Sequence, residues 1–475
     1  MQPLNRNGPP RPLGGEGSGG EGVGCPAAVD LTRPSATLSP QGARGCPERR
    51  GLVHAPSRRG FLAGAGAAAG LHWLTPLGEA LALAAESSAA KAKGGPARSV
   101  ILLWLAGGPS QLETFDPHPG TRIAAGSTAI ATAAKGVKLG AGLERLAAQM
   151  GDVSLIRSIT SKEGDHERGQ YQMKTGWRPD PTVVHPSIGA VCCHQLPAGG
   201  TDIPRHVSIV PNQWPGRGGY LGGEFDAFKT YDPKDPVPDV SSRVGTERDA
   251  VRVRDLSVVD AAFARGRGSR TGSAAREAVT RGARAMMTSD QLKAFDVNQE
   301  PAEVLAAYGD NAFGRGCLAA RRLIEVGVRC VEITLDGWDT HAENHALTAA
   351  RVAELDPAFS ALVADLKRRG LLDRTVVLCG GEFGRTPQVN RLGGRDHWPH
   401  NFAWAIAGGS IRGGQALGDT DPEGGEKPPK DAVGVADVHA TVLSTLGIDP
   451  AKELMTTVGR PLKLSEGKPI GALAG

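Results

Sequence analysis

The feature that most constrains the fold of this sequence is a series of short, continuously apolar segments that alternate with helical patterns. The apolar segments include VILLWLA from Val100 to Ala106, the run from Val153 to Ile156, and the later runs HVSIV, CVEITL and TVVLC. Helical periodicity fills much of the chain between them, for instance over residues 301–327 and 347–370. Continuous apolar runs are typical of strands buried on both faces, and their alternation with helices favours a parallel sheet. The sequence therefore predicts an α/β fold, a three-layer α/β/α sandwich with a mostly parallel central sheet.

Length and composition favour a single large domain. The chain has 475 residues, of which 40% are hydrophobic, so it can bury an extensive core. Its 66 glycines and 34 prolines indicate many loops, and residues 215–284 look especially irregular. We therefore expect one domain from about residue 96 to 470, with a loop-rich excursion at 215–284. The formal net charge is only +4, and no cluster of basic and aromatic residues argues for binding to nucleic acid.

The N-terminal part of the chain has the composition of a targeting region. Residues 1–57 are rich in Gly, Pro, Arg and Ser and lack apolar periodicity, so we expect them to be disordered. Residues 58–85 place Arg58 and Arg59 before a weakly hydrophobic Ala/Gly-rich stretch, which is typical of a twin-arginine export signal. The alternative is an ordinary Ala-rich helix, and the stretch is too short for a stable membrane span. The sequence thus predicts export by the twin-arginine machinery to a periplasmic or other extracytoplasmic location.

Polar side chains are concentrated where the predicted strands end. Four such groups follow the strands in chain order: Ser110, Glu113 and Asp116; Ser158, Asp165 and His166; Asp336, Asp339, His341 and His345; and Glu382, Arg385, Asp396 and His397. Ligands of open α/β sheets bind at the carboxyl ends of the strands, so this shared location favours one functional site. The alternative is that they are ordinary turn and helix-capping residues.

The residue types in these groups favour a metal centre. Carboxylates and imidazoles without clustered thiolates suit zinc, manganese, magnesium or calcium, and such ions activate phosphoryl or sulfuryl groups. We predict the following metal ligands: Asp339, His341, Glu382, Asp396 and His397. Arg385 is expected either to bind an anionic group at the rim of the site or to form a buried ion pair with Glu382 or Asp396 that stiffens the loop.

Several segments of the chain resemble the DUF1501 family. The resemblance covers about Ser99 to Ile470 and rests on motifs such as ILLWLAGGPSQLETFDP, LIRSITSKEGDHERGQYQMKTG, GEFGRTPQVNRLGGRDHWPHNFAWAIAGG and DVHATVLSTLGIDP. Members of this family are exported proteins and are grouped with the alkaline phosphatase and sulfatase superfamily. The resemblance therefore implies an alkaline phosphatase-like sandwich with metal ligands at strand ends.

The sequence departs from the superfamily pattern at two places. That pattern has Asp-His at the end of a strand and another His later in the chain, whereas here Glu382 and Phe383 take the first two positions and His397 the third. A phenylalanine ring cannot bind a metal. The aspartate usual in the family after the first strand is Glu113, which keeps the carboxylate but moves it by one methylene group.

Two functions of different classes follow from this resemblance. The first is an exported metal-dependent hydrolase of phosphate or sulfate esters, with Ser110 and Ser158 as candidate nucleophiles, Thr160 and Ser161 as alternatives, and Arg385 as a further catalytic candidate. The second is a non-catalytic binder of an anionic glycan or a partner protein on the same fold. At least three convergent ligands with an exposed hydroxyl would favour the enzyme, and two or fewer ligands would favour the binder.

Overall fold

The computed structural model describes residues 96–266, 270–425, 429 and 431–475. The predicted disordered extension at 1–57 and the predicted twin-arginine signal at 58–85 lie outside these residues. No helix in the described part of the chain is long and apolar enough to cross a lipid bilayer.

A nine-stranded sheet forms the centre of the domain. The strands of the described residues are, in chain order, β1 (Ser99–Leu105), β2 (Ala129–Ala131), β3 (Lys138–Gly140), β4 (Val153–Thr160), β5 (His206–Ile209), β6 (Phe228–Thr230), β7 (Cys330–Leu335), β8 (Thr375–Gly380), β9 (Gly384–Arg385), β10 (His397–Trp398), β11 (Phe402–Ala407), β12 (Ala416–Leu417), β13 (Val433–Gly434), β14 (Glu453–Met455) and β15 (Pro461–Lys463). The order across the sheet is β12-β4-β11-β8-β1-β7-β5-β6, and β13 also pairs with β4. Only β11 runs antiparallel to its neighbours, so the predicted mostly parallel sheet is confirmed.

Helices cover both faces of this sheet. The helices of the described residues are, in chain order, α1 (Glu144–Gln149), α2 (His166–Thr175), α3 (Ile188–Gln195), α4 (Thr246–Gly266), α5 (Arg270–Thr288), α6 (Ala302–Tyr308), α7 (Ala312–Glu325), α8 (Asn344–Arg368) and α9 (Val435–Thr445). Residues of α1, α7 and α8 form one core with the sheet, whereas residues of α2, α3 and α9 form the other. The three-layer sandwich predicted from the sequence is therefore confirmed.

The central strand β1 shows why the apolar segments are continuous. Its residues Ile101 and Leu103 pack into one core, whereas Leu102 and Trp104 pack into the other. Successive side chains of a strand point to opposite faces, so a strand covered on both sides needs apolar residues at every position. Each such buried side chain contributes about 1.5–3 kcal/mol relative to an exposed one.

The predicted loop-rich excursion at 215–284 differs from the structure in its second half. Residues 215–245 do consist mainly of loops and short turns, together with β6. The two long helices α4 and α5 follow, over residues 246–266 and 270–288. The glycines and prolines that suggested loops are concentrated before residue 246, and no proline occurs from Thr246 to Thr288. Alanine, arginine and glutamate in this stretch favour helix instead.

The carboxyl ends of β1, β4, β7 and β8 lie at the same edge of the sheet, because these strands run in the same direction. The turn after β1 approaches the loop after β7 so closely that a Cβ atom at Gly107 would lie 2.5 Å from the backbone nitrogen of Asp339. Gly107 has a φ of +113°, which also favours glycine. After β8, the β9–β10 hairpin places His397 directly opposite Arg385. The ends of β7 and β8 therefore deliver polar side chains to one place, and the turn after β1 packs directly against it.

Candidate metal centre

The carboxylate of Asp339 lies among three histidine rings. Its Oδ1 atom lies 3.1 Å from His341 Nε2 and 3.2 Å from His397 Nε2. Its Oδ2 atom lies 3.3 Å from Nε2 of His166, the first residue of α2. The structure thus brings together three of the five predicted metal ligands and adds His166, which was not among them.

Each of these three histidines donates its Nδ1–H group to an acceptor outside the cluster. The three pairs are His166 with Glu382 Oε1 at 2.7 Å, His341 with Asp396 Oδ1 at 2.9 Å, and His397 with the carbonyl oxygen of Gly164 at 2.8 Å. Carbonyl and ionised carboxylate oxygens only accept hydrogen bonds, so this bonding assigns the ring proton to Nδ1. In a neutral ring, the lone pair of Nε2 then faces Asp339.

The spacing of the inner atoms fits a shared cation. The Nε2 atoms of His341 and His397 are 3.0 Å apart, and both lie beside the carboxylate of Asp339. Lone pairs that face each other at this distance repel unless a proton or a cation lies between them. Ligand atoms that share a tetrahedral ion through bonds of about 2.0–2.1 Å are roughly 3.3 Å apart. The observed distances of 3.0–3.3 Å match this geometry.

Glu382 lies behind His166 and is completely buried. Its Oε1 atom accepts hydrogen bonds from the backbone nitrogen of Gly107 at 3.0 Å and from His166. Its Oε2 atom has no hydrogen-bond partner among the described residues. A buried carboxylate with one unpaired oxygen is costly unless positive charge lies nearby, so this orphaned atom also fits a cation site. Whether Glu382 binds a metal directly stays a prediction.

Asp396 likewise holds a histidine rather than facing Asp339. Its Oδ1 atom accepts from His341 Nδ1 at 2.9 Å and from the Asn390 side chain at 3.2 Å. The hydrogen bond from His341 lowers the pKa of Asp396, so this carboxylate remains an acceptor at neutral pH. Outer carboxylates of this kind orient histidine ligands and raise their basicity.

Arg385 is completely buried and does not lie at the rim of the site as predicted. Its Nη2 atom lies 2.6 Å from Asp339 Oδ1, so the ion pair forms with Asp339 and not with Glu382 or Asp396. The rest of the guanidinium donates to main-chain carbonyl groups: those of Gly108, Arg395, Gly107 and Trp338. All of its hydrogen bonds are therefore made to the protein, and the side chain fixes the strand ends around Asp339.

These contacts set the charges of the cluster. Partial burial opposes the ionised form of Asp339, but the hydrogen bond and charge of Arg385 outweigh it and lower the pKa to about 2. The hydrogen bond to Glu382 raises the pKa of His166, against the effect of its burial. Burial lowers the pKa of His397, which favours its neutral form. The cluster thus combines an ionised carboxylate with at least one ring that stays neutral.

His166 is a candidate ligand that the sequence alone does not single out. It belongs to the polar group after β4, but its segment lacks the close Asp-x-His spacing of Asp339 and His341. The useful signal was its position: Asp165 caps α2 by accepting from the backbone nitrogen of Arg168, which makes His166 the first helical residue at the ligand-binding edge. A histidine at that place can reach the loops after the neighbouring strands.

Phe383 forms a wall of the site instead of binding a metal. Its ring is completely buried, with its centroid 4.3 Å from that of His397 and 5.1 Å from that of His166. An apolar wall of this kind limits the rotation of both imidazoles and excludes water from their rear faces. The imidazole of His166, which comes from a different segment of the chain, lies beside the Phe383 ring.

The two predicted nucleophiles are both buried. Ser110 donates its hydroxyl to the carboxylate of Glu113, and Ser158 donates its hydroxyl to the carbonyl oxygen of Asp431 at 2.8 Å. Glu113 also accepts from the buried guanidinium of Arg395 at 2.8 Å. Neither hydroxyl is exposed, and no contact of either with Asp339 or the three histidines is found in the described residues. Their catalytic roles stay predictions.

Comparison with solved structures finds similar proteins at low sequence identity. The chain is similar to the PsFucS1 sulfatase from Pseudoalteromonas sp., with 12% identity and a TM-score of 0.36 over 78% of this chain and 72% of that one. It is also similar to the lipoteichoic acid synthase LtaP from Listeria monocytogenes, with 10% identity and a TM-score of 0.36 over 75% of this chain and 73% of that one. The alkaline phosphatase from the Antarctic bacterium TAB5 has 12% identity and a TM-score of 0.32 over 74% of this chain and 99% of that one. Likenesses this distant concern the general arrangement of strands and helices and establish nothing about chemistry.

Comparison at the level of sequence identifies the family. No curated protein matches the chain. The family model described as "Protein of unknown function (DUF1501)" matches residues 97–474, which is nearly all of the described domain. The segments after β4, β7 and β8, which supply the side chains of the candidate metal centre, all lie within that match. This chain therefore belongs to the DUF1501 family.

Proposed function

We propose that this protein is an exported, metal-dependent hydrolase of phosphate or sulfate esters. The observation that supports this most directly is the arrangement of three imidazoles around Asp339. Each ring is held at Nδ1 by an outer acceptor while its Nε2 atom meets the carboxylate. Histidines that bind a metal are held in the same way, through the ring nitrogen that does not bind the ion.

The donor set favours zinc among the four predicted metals. Imidazole nitrogen suits zinc, whereas magnesium and calcium prefer sites made of oxygen ligands. The carboxylate oxygens of Asp339 lie 3.1–3.3 Å from one Nε2 atom of each imidazole, and the Nε2 atoms of His341 and His397 are 3.0 Å apart, which suits the small tetrahedral shell of zinc. Manganese accepts the same ligand types but usually requires more of them.

The chain's own residues would orient the metal and admit the substrate. When bound, the ion would act as a Lewis acid on an ester oxygen and stabilise the leaving group. Asp339 and His341 are 47% and 46% exposed, so an anionic ester can reach them from solvent. Glu382 and Asp396 fix two imidazoles, and Arg385 keeps Asp339 ionised. Since Arg385 is buried among carbonyl groups, we assign it to positioning rather than to substrate binding.

One observation favours the alternative of a non-catalytic binder. The hydroxyl groups of Ser110 and Ser158 are buried and engaged, so neither is poised to attack a substrate. A metal centre without such a nucleophile can still bind the sulfate or phosphate groups of a glycan, or an acidic partner protein. The hydrolase requires instead that a water molecule attacks.

Metal content and ester hydrolysis together test the proposal. The wild-type protein, His341→Ala, His397→Ala and a control, His194→Ala, would be purified, loaded with zinc, dialysed and analysed by mass spectrometry for metal. His194 is an exposed histidine on α3 and bonds to the neighbouring Gln195. We expect stoichiometric zinc in the wild type and the control and its loss from both ligand variants, with unchanged circular dichroism.

Hydrolysis of 4-nitrophenyl phosphate and 4-nitrophenyl sulfate would be measured on the same samples. We expect activity to follow metal content. Equal zinc content in all four proteins would contradict the metal centre. Zinc binding that depends on His341 and His397, without hydrolysis of either ester, would favour the binder.

A further inference from the structure

A large cavity is lined by basic side chains, two of which lie on the chain segments that carry Gly164 and His397 of the candidate metal centre. It has a volume of about 530 Å³, and the residues Lys162, Arg178 and His400 contribute its basic groups. Thr160, Ser161, Gln172 and the first residues of α9 complete the walls. No acidic side chain is among the described residues that line it. The cavity therefore favours negatively charged ligands.

The positive charge of this cavity is only partly neutralised by its surroundings. Arg178 donates through Nε to Glu163 at 2.6 Å, but the same carboxylate also accepts two hydrogen bonds from Arg168, at 2.6 and 3.1 Å. One carboxylate thus serves two guanidinium groups. In the described part of the chain, the terminal nitrogens of Arg178 have no hydrogen-bond partner and Lys162 has no ion pair. These donors are available to an anionic ligand.

Hydrogen bonds between distant segments fix the shape of the cavity. The backbone nitrogen of Ser161 donates to the carbonyl of Pro399 at 2.8 Å, and its hydroxyl donates to Gln172 at 2.9 Å. On the opposite side, β13 pairs with the end of β4 through Val433 and Ile159. The walls come from three parts of the chain and are held before any ligand binds, which lowers the entropic cost of binding.

Two of the basic residues lie on the segments that also form the metal centre. Lys162 precedes Gly164 by two residues, and the Gly164 carbonyl holds His397. Since a chain advances at most about 3.6 Å per residue, the Cα atoms of Lys162 and Gly164 are within about 7 Å. His400 follows His397 by three residues, so their Cα atoms are within about 11 Å. A single ligand can therefore reach both places.

We propose that this cavity binds a second anionic group of the same substrate whose ester group meets the metal centre. The inference rests on the proposed function and narrows the substrate to molecules with at least two sulfate or phosphate groups. A simple monoester would leave Lys162 and Arg178 without a ligand. A polyanionic glycan would place neighbouring charged groups in both sites.

The test measures binding of sucrose octasulfate, a small polyanion, by titration calorimetry to protein stripped of metal with a chelator. The double variant Lys162→Gln/Arg178→Gln is compared with the wild type and with a matched control, Lys229→Gln/Arg248→Gln. Lys229 and Arg248 are exposed, on β6 and α4, and do not line the cavity. We expect at least about tenfold weaker binding in the double variant, from the loss of two charge-assisted contacts, and an unchanged affinity in the control.

The single variant Lys162→Gln covers the case in which loss of the Arg178–Glu163 pair impairs folding. Lys162 has no ion pair to lose in the described structure, so its replacement should weaken binding by about threefold without a change in melting temperature. Equal affinity of the wild type and both cavity variants, or no binding by the wild type, would overturn the proposal.

A second titration, with zinc added, separates this inference from the proposed function. If one ligand spans both sites, zinc should tighten binding in the wild type. Binding that depends on Lys162 and Arg178 but does not respond to bound zinc would overturn the claim of a shared substrate. Failure of the protein to bind zinc at all would refute the proposed hydrolase. The metal-free titration would still show whether the cavity binds a polyanion.

Discussion

Replacement of Arg385 by methionine tests the conclusion that this residue holds the strand ends together. Its guanidinium donates to the carbonyl of Gly108 at 2.8 Å, of Arg395 at 3.0 Å and of Trp338 at 3.2 Å, and also to that of Gly107. At about 1 kcal/mol for each hydrogen bond, these four contacts amount to about 4 kcal/mol. The ion pair with Asp339 adds little, because that carboxylate is 47% exposed and screened by water.

We therefore expect Arg385→Met to lower the free energy of unfolding by about 3–5 kcal/mol. Urea unfolding followed by tryptophan fluorescence would measure it, with refolding as a check of reversibility. Arg385→Lys should lose most of the same stability, because an ammonium group cannot reproduce the planar fork of the guanidinium. Arg248→Met, on the exposed surface of α4, should change stability by less than about 0.5 kcal/mol. A loss below about 1 kcal/mol in Arg385→Met would refute a structural role and return this arginine to the set of substrate-binding candidates.

Three further predictions concern other parts of the chain. Burial lowers the pKa of His439 to about 4, so the folded protein disfavours the protonated ring. The free energy of unfolding should therefore fall by up to about 3 kcal/mol as the pH drops from about 6.5 to 4. The variant His439→Gln should lose this pH dependence. Asp396→Asn should weaken zinc binding by about 10–100-fold, as competition with a chelating dye would measure, while circular dichroism stays unchanged; an unaltered affinity would argue against the outer role of this carboxylate. Replacement of both Arg58 and Arg59 by lysine should leave the protein in the cytoplasm on cell fractionation, because the export machinery reads the arginine pair, and normal export of that variant would eliminate the twin-arginine hypothesis.

The sheet and the general place of the site could be predicted because both depend on local patterns. Continuous apolar runs identified the central strands, and parallel strands end at one edge of a sheet wherever their connecting loops go. Because parallel strands end at one edge, Asp339 and His341, which follow β7, are expected near His397, which lies in the β9–β10 hairpin after β8. The distances between these side chains are consistent with the expected convergence.

The parts that could not be predicted depend on contacts between distant loops. Whether Arg385 faces solvent or protein is decided by four carbonyl groups from three other segments, and none of these is visible in its own sequence neighbourhood. The same holds for His166, whose orientation toward Asp339 depends on its hydrogen bond to Glu382, a residue 216 positions later in the chain. The helices α4 and α5 were missed because glycine-rich residues before position 246 dominated the composition of the whole segment.

The hydrogen bond between His397 and Gly164 has a consequence for the order of events during synthesis. It joins segments 233 residues apart, and β4, which leads to Gly164, finds its sheet partner β11 only near the end of the domain. Such non-local pairings form slowly, because the entropy of closing a long loop is lost before the contacts repay it. A chain still emerging from the ribosome therefore has the histidines but not their arrangement. An ion bound at this centre would require the segments that follow β4 and precede β11 to be in place, and it would then stabilise the native state, since a ligand that binds only the native state does so by RT ln(1 + [L]/Kd).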